Sequence, residues 1–117
     1  MEILRKKLRL DKNEYYTTHL SIMNVFLPVK MTPKEIEVLA NFMGLEGDIA
    51  LDRFGTSARK LVMAEMGIKP GGLGNYFDTL QKKGFLLKDT EKKFTIFHML
   101  YPEPSVQGYE FQLLKQT

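Results

Sequence analysis

The stretch from Thr56 to Leu87 constrains the fold more than any other part of the chain. Its pattern predicts a helix over 56–65, a turn, a second helix over 71–83 and a strand directly after it. In the second helix, apolar residues recur at i, i+4 and i+7 and predict one buried face: Leu73, Phe77 and Leu80. The opposite face of that helix is therefore expected to project as a rod that a partner can contact.

The first helix of this pair is expected to begin at Thr56 or Ser57, because either side chain can accept a hydrogen bond from a first-turn backbone N–H. Three of its residues are predicted to face inward: Leu61, Val62 and Met66. The turn that follows is Gly67-Ile68-Lys69-Pro70, and Gly84 is predicted to end the second helix.

The strongest local pattern upstream is Thr32-Pro33-Lys34-Glu35. Thr32 is placed to cap a helix, Pro33 occupies its first position and Glu35 can bond back to the cap, which together form a capping box. Four apolar residues then predict a buried stripe: Ile36, Leu39, Ala40 and Met43. Gly44 is predicted to end this helix.

Two further segments flank that helix. An earlier helix is predicted over 12–26, with Asp11 as its cap and Pro28 after its end. The segment 45–55 fits either a one-turn helix or an irregular loop. Three of its residues are expected to anchor it in the core: Ile49, Leu51 and Phe54.

Strands are predicted mainly towards the C-terminus. Residues 85–88 and 94–101 flank a polar turn and are rich in β-forming side chains, and residues 109–113 alternate apolar and polar side chains. Residues 3–10 partly alternate apolar and basic side chains, which is typical either of an edge strand or of an extended arm. The predicted fold class is α+β, mostly α, with about four helices and two to three strands.

The charge is mildly basic and unevenly distributed. The net charge is +3, and residues 1–30 contain six Lys/Arg against three Asp/Glu, whereas residues 31–66 contain four against six. Residues 67–117 contain seven against five. Two basic segments thus flank an acidic middle, and mild basicity favours polyanionic partners.

The composition also limits compartment and chemistry. The chain has no cysteine, which excludes disulfides, thiolate metal sites and a Cys nucleophile and fits a reducing compartment. No apolar run reaches the roughly 18 residues of a membrane span, and the first residues have no apolar signal-peptide region. A cytoplasmic protein without membrane contact is therefore expected.

No enzyme site is predicted. His19 and His98 have no acidic partner at ligand spacing, and Asp48 with Asp52 fits a solvated pair or a cap better than a metal site. The glycines at 71–74 are not preceded by a strand or followed by the GK[ST] sequence of a phosphate loop. We therefore expect no catalytic residues, no metal and no cofactor.

Residues 57–88 resemble a winged helix-turn-helix domain of the broad MarR-like type. The resemblance rests on Ile68, Leu73, Phe77, Leu80 and Lys83-Gly84-Phe85-Leu86, together with the upstream segment 31–39. It covers roughly residues 28–100. Two features depart from that family: glycines (Gly71, Gly72 and Gly74) stand where Ser or Thr is common, and 101–117 predicts a strand where many relatives have a long dimerisation helix.

The resemblance implies one winged-helix domain over residues 1–117. Residues 1–11 would be a basic N-terminal arm or edge strand, 56–83 the helix-turn-helix, and 85–115 the wing and C-terminal strand. The helix 71–83 would enter the major groove of double-stranded DNA, and the wing would contact flanking phosphates. The implied role is that of a small transcriptional regulator, with a two-fold homodimer as the usual arrangement.

The candidate DNA-binding residues follow from this placement. Amide side chains pair with adenine edges, lysines meet phosphates, and glycine near a helix N-terminus lets backbone N–H groups approach a phosphate closely. On the helix and its turn the candidates are Lys69, Gly72, Gly74, Asn75, Tyr76 and Lys82; on the wing they are Lys92 and Lys93; on the arm they are Arg5 and Lys6. The helix has no arginine, so we expect contacts mainly with the DNA backbone.

Each of these features also has a plainer interpretation. The wing turn fits a polar hairpin tip as well, since Asp89 and Glu91 lie between its lysines, and the arm fits a charged edge strand. Asp78 would suit a solvated surface helix. The main alternative function is a protein–protein interaction module of a transcription or replication assembly, and another is a replication-initiation or mobile-element protein that binds DNA by the same motif.

Overall fold

The computed structural model describes residues 6–104, 107–110 and 112–116. Within them the chain is α+β and mostly helical, in agreement with the predicted class. Four α-helices, α1 (Lys12–Phe26), α2 (Pro33–Met43), α3 (Thr56–Met66) and α4 (Pro70–Lys82), precede two strands, β1 (Leu86–Lys88) and β2 (Phe94–Ile96). Two short 3-10 segments, Gly47–Asp52 and His98–Leu100, complete the described elements.

Local caps begin α1 and α2 as predicted. The Glu14 N–H donates to the Asp11 carboxylate at 2.8 Å. The Glu35 N–H donates to Thr32 Oγ1 at 3.2 Å, and the Thr32 N–H donates to the Glu35 carboxylate at 2.7 Å. The capping box is thus confirmed, and a cap of this kind stabilises a helix by about 1 kcal/mol.

Gly44 ends α2 as predicted, but its backbone is not left-handed, since φ is −78°. A Cβ at this position would lie 3.2 Å from both Asn13 Oδ1 and Lys12 Cγ. The start of α1 therefore lies against the end of α2. Glycine at this position allows the close approach, and its backbone does not need the left-handed conformation.

Helix α2 occupies the centre of the fold and packs against α1, α3 and α4. Phe42, fully buried on α2, stacks on Phe54 with ring centroids 4.8 Å apart and lies 5.4 Å from Phe77 of α4. Phe77 in turn lies 5.3 Å from Phe94 of β2. Because burying each large apolar side chain contributes roughly 1.5–3 kcal/mol, this cluster of four rings fixes α4 and the hairpin to the core.

The segment before α3 and α3 itself correct three predictions. Leu51 does not anchor the 3-10 segment, since it is 87% exposed, whereas Phe54 is buried as expected. Gly55 precedes the first turn of α3, and neither Thr56 nor Ser57 provides a side-chain cap. The inward side of α3 contains Ala58 and Val62 at i, i+4 spacing, so Leu61 lies beside this stripe and is 49% exposed.

The strands are shorter and fewer than predicted. β1 and β2 pair antiparallel with Leu86 opposite Ile96, but the second strand ends there and a 3-10 segment replaces its last part. Neither residues 6–10 nor the described residues of 109–113 form a strand; residues 3–5 lie outside the described residues. The described residues after Tyr101 contact α1 through two hydrogen bonds, from the Tyr15 hydroxyl to the Glu103 carbonyl and between the Tyr109 hydroxyl and His19.

Candidate nucleic-acid interface

Helix α4 forms where the sequence predicts it and buries the predicted face. Pro70 occupies its first position, and Leu73, Phe77 and Leu80 are buried. The opposite side contains four exposed residues at i, i+4, i+7 and i+11, which we call the α4 ridge: Gly71, Asn75, Asp78 and Lys82. A helix with one buried side and one exposed side therefore presents these residues to solvent.

The candidate residues of α4 differ in exposure. Gly74, Asn75 and Lys82 are exposed, as is Lys69 immediately before the helix. Gly72 and Tyr76 are partly buried, and Tyr76 packs against the core. Tyr76 thus lies at the margin of the exposed side.

The first turn of α4 is bare. Pro70 has no N–H, and the N–H groups of Gly71 and Gly72 donate no hydrogen bond within the described part of the chain. The first N–H of α4 that donates is that of Leu73, to the Lys69 carbonyl at 3.0 Å. Lys69 provides no side-chain cap. Two N–H donors at the positive end of the helix dipole are therefore without an acceptor in the described part of the chain, and such donors favour an anion.

The glycines of this turn are not required by the fold. A Cβ at Gly71 or Gly74 would meet nothing within 4 Å, and neither has a positive φ. Glycine in a helix costs roughly 0.5–1 kcal/mol relative to alanine. The chain thus accepts that cost at two exposed positions where its own packing does not demand glycine.

Lys82 and Lys83 are adjacent but have different environments. Lys83 Nζ lies 2.6 Å from the buried Glu35 carboxylate and donates to the Lys30 carbonyl at 2.9 Å. Burial opposes ionisation of Glu35, but hydrogen bonds from Lys83 and Thr32 outweigh it and hold the pKa of Glu35 below its ordinary value. Lys83 thus ties the end of α4 to the start of α2, while Lys82 is left exposed.

Asp89 organises the hairpin turn. Its carboxylate accepts from the Glu91 N–H at 2.8 Å and from the Lys93 N–H at 2.9 Å, and Lys92 has a left-handed backbone with φ 63°. The Asp89 carboxylate is thus used within the turn. The side chains of Lys92 and Lys93 are exposed and, within the described residues, unpaired.

Phe94 brings this turn close to α4, since it follows Lys93 directly and its ring contacts Phe77. The arm differs. Lys6 is exposed ahead of α1, and no hydrogen bond or ion pair joins it to α4 or to the hairpin; Arg5 lies outside the described residues. The contact of Phe94 with Phe77 therefore joins the hairpin to the buried side of α4, and no described hydrogen bond or ion pair joins Lys92, Lys93 or Lys6 to its exposed side.

Two arginines have internal roles that the sequence did not indicate. Arg53 donates to three carbonyls at the end of α2, those of Phe42, Met43 and Leu45, at 2.7–3.1 Å. Arg59 donates to the Phe54 carbonyl at 2.7 Å and places its guanidinium 5.0 Å from the Phe77 ring centroid. The cations exposed on α4 and on the hairpin turn are therefore lysines.

Carboxylates gather elsewhere. A cleft of about 420 Å³ lies between α1, α2 and the end of α3 and is lined in part by Glu14, Glu37 and Glu65. None of these residues belongs to α4 or to the hairpin. This group of carboxylates is therefore separate from α4 and the hairpin, which contain Asp78, Asp89 and Glu91 of their own.

The described residues thus define a mostly helical α+β chain with exposed residues along one side of α4 and exposed lysines on the hairpin turn. Comparisons with protein-family models, with curated proteins and with solved structures found no match. Within the described ranges, no helix is both long and apolar enough to span a bilayer.

Proposed function

We propose that this chain is a cytoplasmic winged helix-turn-helix protein that binds double-stranded DNA, most simply as a transcriptional regulator. Helix α4 would lie in the major groove, and the hairpin turn would be the wing on flanking phosphates. The observation that supports this most directly is the α4 ridge, which is exposed along the whole helix while the opposite side is anchored in the core. An α-helix about 10–12 Å in diameter fits a major groove about 12 Å wide.

The chemistry of the ridge suits backbone contact with limited base contact. Asn75 is exposed, and its side-chain amide can pair with an adenine edge. The bare N–H groups of Gly71 and Gly72 suit a phosphate oxygen. Asp78 can accept from the amino group of cytosine but repels phosphate, so it restricts how the helix lies in the groove.

Four lysines supply the electrostatic part of the proposal. Lys69, Lys82, Lys92 and Lys93 are exposed and, within the described residues, have no ion pair. If each neutralises one phosphate, the logarithm of the association constant falls against the logarithm of salt concentration with a slope of about −3.6. The same salt dependence is expected if the chain is instead a replication-initiation or mobile-element protein that binds DNA by this motif.

The test is fluorescence anisotropy of a labelled duplex across a salt series. Lys82→Gln should weaken binding and make the slope shallower by about 0.9. Lys34→Gln is the matched control, because Lys34 is an exposed lysine on α2 that pairs with Glu37. Absence of binding at low salt, or an affinity that does not depend on salt, would contradict the proposal.

Base contact is tested separately. Asn75→Ala should alter the preference among duplexes that differ at A·T positions by about 1–3 kcal/mol, whereas Lys92→Ala should weaken all duplexes equally. If both variants weaken binding to every duplex by the same factor, Asn75 does not read bases, and the protein contacts only the DNA backbone.

A protein-docking role is the second candidate, and Asp78 favours it. This carboxylate lies in the middle of the ridge, and α4 has no arginine. Asp78→Asn separates the two roles, because removing a repulsive charge should strengthen DNA binding. A partner that is retained after nuclease treatment and lost with Asp78→Asn would favour protein docking instead.

A further inference from the structure

Tyr109, in the C-terminal part of the chain, is attached to α1 by its side chain. We call residues 107–110 and 112–116 the strap; they contain no helix or strand. Tyr109 of the strap places its hydroxyl 2.5 Å from Nδ1 of His19 on α1, and the two rings lie 5.8 Å apart. Just before the strap, Tyr15 donates to the Glu103 carbonyl at 3.3 Å. The hydroxyl–imidazole contact is thus the strap's polar attachment to α1.

The hydrogen bonds of His19 determine its tautomer. Its Nε2 lies 2.9 Å from the Leu100 carbonyl, which can only accept, so Nε2 bears the proton. In the neutral ring Nδ1 is then an acceptor, and the Tyr109 hydroxyl donates to it. Burial raises the pKa of Tyr109, so its hydroxyl keeps the proton that it donates.

The site has no counter-charge for a protonated ring. His19 is only 3% exposed, and no ion pair to it is found among the described residues. The titratable groups of the three segments around it are Lys12, Glu14, Tyr15 and Tyr16 on α1, His98 and Tyr101 beside Leu100, and Tyr109, Glu110 and Lys115 on the strap, while Arg53 acts on Tyr101. Among the described residues, neither Glu14 nor Glu110 forms an ion pair with His19.

We propose that the strap is a pH-dependent latch, which neutral His19 holds on α1 and protonated His19 releases. Protonation turns Nδ1 from an acceptor into a donor, so Tyr109 loses the group to which it donates. The buried cation then requires water. Leu20 and Leu100 are fully buried on the other two segments, so the exposed strap is the part that can leave.

The direction of the pH response follows from burial. Desolvation lowers the pKa of His19 from the ordinary 6.5, although the hydrogen bond to Leu100 opposes this. The latched form therefore binds fewer protons than the released form between the lowered pKa and pH 6.5. Latching is complete above pH 6.5 and weakens by up to tenfold per pH unit below it.

The test uses the absence of cysteine from this chain. Gln112→Cys places a single fluorophore on an exposed strap residue, and His98→Gln removes the other of the two histidines. Label anisotropy should be high at pH 8 and fall on acidification, with a midpoint below 6.5, while the far-UV circular dichroism of the helices stays constant.

Two further variants assign the response. His19→Gln keeps a neutral donor for the Leu100 carbonyl and should abolish the pH step. Tyr109→Phe keeps the ring but removes the hydroxyl, so it should lower the anisotropy already at pH 8. ¹⁵N spectra of the His19 ring report the tautomer without any substitution at His19, and at pH 8 they should show a protonated Nε2 and a bare Nδ1.

The proposal is overturned if anisotropy does not change with pH, if the step persists in His19→Gln, or if it coincides with loss of helix. A proton on Nδ1 at pH 8 would also overturn it. Because the strap lies on α1, its release is measured independently of DNA binding by α4.

Discussion

Alanine at Gly71 and Gly74 should make the protein more stable and at the same time a weaker DNA binder. Both positions lie in α4 with ordinary helical backbone, and a Cβ at either would meet nothing within 4 Å. Removing the conformational cost of glycine should therefore raise the free energy of unfolding by roughly 0.5–1 kcal/mol per site, somewhat less at Gly71 in the first turn.

For a chain of 117 residues, a gain of about 1 kcal/mol corresponds to a rise in Tm of roughly 2–6 °C. Urea denaturation and thermal melting of Gly71→Ala, Gly74→Ala and the double variant measure it. Gly84→Ala is the matched control, because φ at Gly84 is +85° and alanine there should cost roughly 1–2 kcal/mol.

The loss of affinity has a separate cause. The unpaired N–H groups of Gly71 and Gly72 can approach a phosphate only while no side chain intervenes. A methyl group at position 71 should hold the phosphate away and forfeit a charge-assisted hydrogen bond, roughly 1.5–3 kcal/mol or more than tenfold in Kd. Gly71→Ala should thus weaken DNA binding more than Gly74→Ala.

Two results would refute this reasoning. Destabilisation by Gly71→Ala or Gly74→Ala would mean that the space around the first turn of α4 is filled. If Gly71→Ala raises the free energy of unfolding but leaves the affinity for DNA unchanged, then no DNA phosphate approaches the first turn of α4.

The remaining predictions concern the groups that position α4 and the hairpin. Lys83→Met should destabilise the protein by about 3 kcal/mol in urea denaturation, because it leaves the buried Glu35 carboxylate without its cation, and adding Glu35→Gln should recover much of the loss. Because folding lowers the pKa of Glu35, the ionised carboxylate adds its full contribution to the free energy of unfolding above pH 4.5 and loses it as pH falls through the lowered pKa. A free energy of unfolding that stays constant over this acidic range would contradict the ion pair. Asp89→Ala should speed amide exchange at Lys93 and weaken DNA binding, whereas Asp48→Ala, at an exposed carboxylate of the first 3-10 segment, should do neither.

Structure that depends on near neighbours in the chain could be predicted well. The capping box at Thr32 needs only residues three positions apart, and it formed as expected. The same holds for the buried face of α4, since Leu73, Phe77 and Leu80 share one side of any helix through them. Hydrophobic periodicity also predicted the exposure of Asn75, Asp78 and Lys82 on the opposite side, whereas Gly72, expected to face outward, is partly buried.

It was harder to predict from the sequence which apolar side chains next to a buried stripe are exposed. Leu51 and Leu61 are as apolar as their buried neighbours, yet they are 87% and 49% exposed, and Leu61 lines an open cleft with residues of α1 and α2. The alternation over 109–113 is typical of a strand, but a strand needs a second strand as partner, and Tyr109 instead contacts His19, 90 residues away.

The sequence by itself determined where the helices of this protein lie and which side of α4 is buried, because capping and periodicity act within a few residues. Only the tertiary structure decided which polar side chains remain available to a partner. Periodicity places Lys82 on the exposed side of α4, but it does not show that Lys83 is occupied, because only folding brings Lys83 to Glu35, 48 residues away. Ion pairs and hydrogen bonds between distant segments depend on how the helices pack, and local pattern does not specify that packing.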